Sequence, residues 1–128
     1  IEIINISKFS VKLKATIQKT GRLGFTMETS NVLGCEKGIG IRFARDTEDD
    51  SALYMIIVER GASNSFDVRK AGDYYYIQAK LLFDSLAYDY KNNTIIFDLV
   101  RLPKLDASLD GCVYKLIKRE RTKNLSGE

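Results

Sequence analysis

Val11-Lys12-Leu13-Lys14-Ala15-Thr16-Ile17-Gln18-Lys19-Thr20-Gly21-Arg22-Leu23-Gly24-Phe25 reads as a strand, a glycine turn and a second strand. Phe9, Val11, Leu13, Ala15 and Ile17 alternate with polar residues, and a period of two places them on one face of a half-buried strand. Gly21 can take a positive φ between the two apolar runs, so a hairpin is expected. Residues 28–34 then predict a short helix of about two turns closed by Gly34. Residues 38–44 and 53–58 predict two more strands, separated by an acidic turn at residues 46–51.

The same order recurs downstream. Residues 66–68 lead to Gly72, Tyr74-Tyr75-Tyr76-Ile77 predicts a strand, and residues 79–86 carry apolar side chains at 79, 82, 83 and 86. That i, i+3, i+4, i+7 spacing predicts an amphipathic helix. A strand over 94–102 is stopped by Pro103, and after a loop over 104–111 a last strand covers 112–117. Residues 1–6 are apolar at a period near two and read as an edge strand or a linker remnant. Gly61-Ala62-Ser63-Asn64-Ser65 reads as a linker between two units. The expected fold is therefore α+β and predominantly β. It consists of two β-β-α-β-β repeats, residues 9–60 and 65–118, packed as a pseudo-dimer around one core within a single domain, 1–128. Residues 118–128 are expected to be a frayed basic tail.

A length of 128 residues suits one domain with its own core, and 45% hydrophobic with 29% charged residues suits a folded soluble protein. No apolar run approaches the roughly 18 to 20 residues of a membrane helix, and a cytoplasmic location is expected. The sequence contains no histidine, which excludes the usual serine or cysteine triads and the thiolate–imidazole metal sites. Cys35 and Cys112 read as small buried or half-buried hydrophobes. No cofactor or metal is expected, and no spaced pair of carboxylates stands out for acid–base chemistry.

Charge is unevenly distributed along the chain. Residues 1–45 hold eight Lys or Arg against three acids, residues 46–113 seven against twelve, and residues 114–128 five against two. A basic segment is the footprint of a phosphate-binding face, because lysine and arginine supply the sequence-independent part of nucleic-acid affinity. Lys12 and Lys14 share one strand face, and Lys19 and Arg22 flank the first glycine turn, so these four can line a phosphate-contacting hairpin. An ordinary solvated strand face has the same pattern. Within Tyr74-Tyr75-Tyr76, two rings lie on one face and the middle ring on the other, which suits either base stacking or an amphipathic edge of the core. Gly38-Ile39-Gly40 lacks the third glycine of a dinucleotide loop. Asp46-Thr47-Glu48-Asp49-Asp50 lacks the ligand spacing and central glycine of a calcium loop.

The run Lys14 to Phe25, followed by Val32-Leu33-Gly34 and Lys37-Gly38-Ile39-Gly40-Ile41, resembles the swapped-hairpin AbrB family of DNA-binding proteins. The resemblance covers about 40 residues, with a fainter second copy over 66–100. Thr26-Met27-Glu28 stand where that family has a proline and basic residues, and Gly72-Asp73 replaces Gly-Arg in the second copy. The resemblance implies a pseudo-dimer in one chain, as in tandem-repeat relatives of the MraZ type. It also implies nucleic-acid binding without catalysis through Lys12, Lys14, Lys19, Arg22 and Arg42. The expectation is thus a non-enzymatic nucleic-acid-binding domain of transcription-regulator type, with DNA favoured over RNA and a homodimer as a candidate assembly. The competing expectation is a protein-interaction or assembly module that uses a strand edge or the tyrosine face.

Overall fold

A computed structural model describes residues 1–3, 12–49, 51–102 and 112–122. Among the described residues nine strands form one antiparallel sheet: β1 (Leu13–Ile17), β2 (Arg22–Phe25), β3 (Ile39–Arg45), β4 (Leu53–Glu59), β5 (Phe66–Asp67), β6 (Arg69–Ala71), β7 (Tyr74–Gln78), β8 (Asn93–Leu102) and β9 (Val113–Thr122). Helix α1 (Met27–Leu33) follows β2, and α2 (Lys80–Ser85) follows β7. The strands lie in the order β5-β3-β4-β9-β8-β1-β2-β7-β6. The coarse expectation of a predominantly β protein holds. Among the described residues no helix is long and apolar enough to cross a membrane.

Both edges of the sheet belong to one short stretch of chain. Phe66 and Asp67 pair with β3, the Val68 amide donates to the Ile39 carbonyl at 3.0 Å, and Arg69–Ala71 pair with β7. Residues 66–71 thus change partners at buried Val68 and nearly close the sheet on itself, which hides the edge groups that an open sheet exposes. The alternating side chains of Ala15, Ile17, Leu23, Ile41, Met55, Ile77, Ile95 and Phe97 point inward and are almost entirely shielded. Phe83 of α2 plugs this interior. Its ring lies 6.4 Å from Phe43, 6.3 Å from Phe97 and 6.0 Å from Tyr88, distances at which aromatic pairs attract beyond their buried area.

Local chemistry explains the helix limits. Thr26 caps α1 by accepting from the Thr29 amide at 3.3 Å, and Gly34 ends the helix in the left-handed region at φ 76°. The Thr29 hydroxyl accepts from the Lys14 amide at 2.7 Å, which clips α1 onto β1.

One expectation needs correction. Residues 118–122 are the end of β9 and not the start of a frayed tail, because β8 supplies them with partners as far as Asn93↔Thr122. The first strand begins at Leu13; its expected beginning at residues 9–11 lies outside the described residues, as do most of the 1–6 segment, Pro103 with the 104–111 loop, and the tail beyond Thr122. The 61–65 segment is a tied loop. Ser65 Oγ donates to the Ala62 carbonyl at 2.6 Å, and the Asp67 carboxylate accepts from the Gly61 amide at 3.0 Å.

Candidate nucleic-acid interface

Strand order brings together basic residues that are remote in sequence. β8 lies between β1 and β9, with Lys14 opposite Asp98 and Asp98 opposite Ile117. Lys12, Lys14, Asp98, Val100, Ile117 and Arg119 line a groove of about 390 Å³ on the outer face of the sheet. Arg119 grips Asp98 with two nitrogens, Nε at 2.8 Å and Nη2 at 3.1 Å. This pair is partly exposed and worth little to stability, but it fixes the guanidinium at the groove wall. Three cations thus share the groove with one carboxylate.

A second cluster lies farther along the same outer face. Tyr74 and Tyr76 project outward from β7, with ring centroids 5.6 Å apart. The Arg22 guanidinium from β2 stacks over Tyr76 at 4.2 Å, and its Nη1 donates to the Tyr74 hydroxyl at 3.2 Å. Tyr75 has the opposite parity and packs against the core, with Lys70 Nζ 5.7 Å from its ring. Each tyrosine therefore lies on the face its position in the strand dictates.

The five residues singled out from the sequence do not form one site. Lys12 and Lys14 share the groove, Arg22 belongs to the tyrosine cluster, and Lys19 is exposed in the β1–β2 turn. Arg42 is on β3, which is separated from β1 by β4, β9 and β8 on one side. Its Nε and Nη2 both donate to the Ser63 carbonyl, at 3.2 and 2.7 Å, so it anchors the 61–65 loop. Sequence reasoning missed Arg119 by assigning it to a tail. The alternation of Lys115, Ile117, Arg119 and Arg121 against Tyr114 and Leu116 was the available signal.

The perturbed ionisable groups fit structural roles. Hydrogen bonds from Lys80 and Tyr90 hold the Asp84 carboxyl below the usual range, and Ser51 does the same for Asp49. Burial pushes the Cys35 thiol up to about 11, which leaves it almost wholly protonated near neutral pH. Cys35 and Cys112 are free thiols. Comparison with protein families, curated proteins and solved structures finds no match to this chain.

Proposed function

We propose that this protein is a non-catalytic nucleic-acid-binding domain that contacts phosphates through the outer face of β9, β8, β1 and β2. The observation that carries the reading is the convergence of the two basic segments of the sequence on either side of β8. Lys12 and Lys14 come from one, Arg119 from the other, and together they line one groove. Cations gathered in a groove release condensed counterions when they meet a phosphate backbone, which is the main sequence-independent source of affinity. The preference for DNA rests on the resemblance to the swapped-hairpin family.

The same reading includes an internally duplicated pseudo-dimer. Its support is the strand order taken as a ring closed through residues 66–71. Exchanging β1 with β5–β6, β2 with β7, β3 with β8 and β4 with β9 leaves the order around the ring unchanged. Each helix also follows the corresponding strand, α1 after β2 and α2 after β7. Gly24 of β2 pairs directly with Tyr76 of β7, as expected where a local two-fold axis passes between corresponding strands.

Fluorescence anisotropy with labelled DNA across a salt series tests the binding. Affinity is expected to fall steeply with salt and to drop in the Lys12→Ala/Lys14→Ala variant, while Arg42→Ala leaves it unchanged. Absence of binding at low salt, or a flat salt response, overturns the proposal. A second reading, an assembly module, draws on the exposed Val100 and Ile117 that line the groove, which are 43% and 45% accessible. Light scattering that gives an oligomer, together with indifference to DNA, would favour it.

A further inference from the structure

We infer that the ligand of this face is a single strand whose bases stack on the Tyr74–Tyr76–Arg22 cluster, in preference to a duplex. The inference rests on the nucleic-acid reading above and assigns the form of the polymer. Its basis is a lateral row of outward positions across six strands. Arg119 pairs with Ile96, Ile96 with Thr16, Thr16 with Gly24, Gly24 with Tyr76 and Tyr76 with Arg69. At a strand spacing of about 4.8 Å, this row runs about 24 Å along the sheet surface. An arginine stands at each end; the paired residues between them are uncharged, with the Arg22 guanidinium over Tyr76 and the Gln18 amide against Gly24.

Such a surface is poorly suited to a duplex. Reading a duplex requires a helix or a ribbon that projects into a groove, and this row is the outward side of a curved sheet. A single strand, by contrast, presents unpaired base faces and a flexible backbone. Aromatic rings on a sheet next to cationic side chains take it by stacking and by phosphate contact. Tyr74 and Tyr76 are half-buried, so part of each ring meets solvent. Arg22 extends the platform, because its guanidinium lies over Tyr76 at 4.2 Å and a guanidinium is itself a planar stacking surface. Its hydrogen bond to the Tyr74 hydroxyl fixes both groups before any ligand arrives, which lowers the entropy cost of binding.

The test compares an oligo-dT of about 15 nucleotides with its oligo-dA duplex by anisotropy, at matched salt. The single strand is expected to bind at least about tenfold more tightly. Tyr76→Leu is expected to weaken single-strand binding about tenfold without changing its salt dependence, whereas Arg119→Ala lowers the slope of log affinity on log salt by about 0.7. If Tyr76→Leu fails to fold, tyrosine emission decides the matter, since the chain has no tryptophan to mask it. Oligo-dT is expected to quench the emission of the unmodified protein, and to quench it much less in Tyr74→Phe/Tyr76→Phe, which removes the two phenols of the cluster and, with the Tyr74 hydroxyl, the hydrogen bond that fixes Arg22. Duplex binding as tight as single-strand binding, with Tyr76→Leu neutral or no tyrosine quenching, overturns this inference and leaves the nucleic-acid reading standing. Binding of neither probe at low salt overturns both.

Discussion

The two glycine-turn hairpins look alike in sequence and are built differently. In β1–β2 the turn glycine, Gly21, is buried beneath the start of α2, and its carbonyl accepts from the Ala79 amide at 3.3 Å. A Cβ at Gly21 would lie 2.6 Å from the Lys80 Cα, and the residue sits at φ 86°. In β6–β7, Gly72 has a similar left-handed backbone at φ 61°, but an added Cβ would meet nothing within 4 Å. The following helices differ in the same spirit. α1 carries its own cap in Thr26, whereas α2 lacks a side-chain cap from Ala79 and borrows the Gln78 side chain, which accepts from the Lys80 amide at 3.2 Å. Backbone conformation is a local demand that both turns meet; packing is a separate demand that falls on one turn only.

The sharpest way to break this contrast is at the helices. Phe83→Ala empties the centre of the interior and is expected to cost about 3–5 kcal/mol, measured by urea unfolding. A loss below about 1 kcal/mol would mean that α2 is not the plug of the sheet's interior. The glycines come next. Gly21→Ala combines left-handed strain with a backbone clash and is expected to cost about 3 kcal/mol or more, while Gly72→Ala bears the strain alone, about 1 kcal/mol. Equal losses would erase the distinction between the two turns.

Thr26→Ala removes the cap of α1 and is expected to cost about 1 kcal/mol, with the largest rise in amide exchange confined to residues 27–33. The smallest effect is in acid. Asp84 accepts from Lys80 Nζ and from the Tyr90 hydroxyl, each at 2.6 Å, and these bonds depress its folded-state pKa. Its stabilising contribution is therefore present above its unfolded value near 3.9 and is lost as pH falls through the lower folded value. Asp84→Asn is expected to lower the melting temperature at neutral pH and to flatten its decline in this acid range. The Tyr90 phenol is raised by the same bond, so its share is lost as pH climbs past about 10. An unchanged acid limb in Asp84→Asn would remove Asp84 from the account.

Most strands and both helices were legible because their signals are local. Alternation over 13–17 and 94–102, the Gly34 cap and the 79–86 spacing each report a period that one face of an element must satisfy to be buried. The site was less legible. Lys12 and Lys14 could be placed together from their spacing in one strand, but Arg42 was grouped with them although it lies on a distant strand and ties down a loop. Arg119 was read as part of a solvated tail because polar and charged residues dominate 118–122, and no local signal tells a long partnered strand from a disordered end. β8 supplies that partner, from residues 93–102.

The amino-acid sequence by itself determined most of the strands and both helices, the parity of Tyr74, Tyr75 and Tyr76, and the separation of charge into basic ends and an acidic middle. All of these follow from side-chain periodicity and composition along the chain. Only the tertiary structure decided that the two basic ends meet across β8, that Arg22 lies over Tyr76, that Gly21 is buried while Gly72 is open, and that residues 66–71 bring the two sheet edges together. Those outcomes depend on which strands become neighbours. Burial of the shared core sets that choice through contacts between residues far apart in sequence, and no short window of the chain contains both partners.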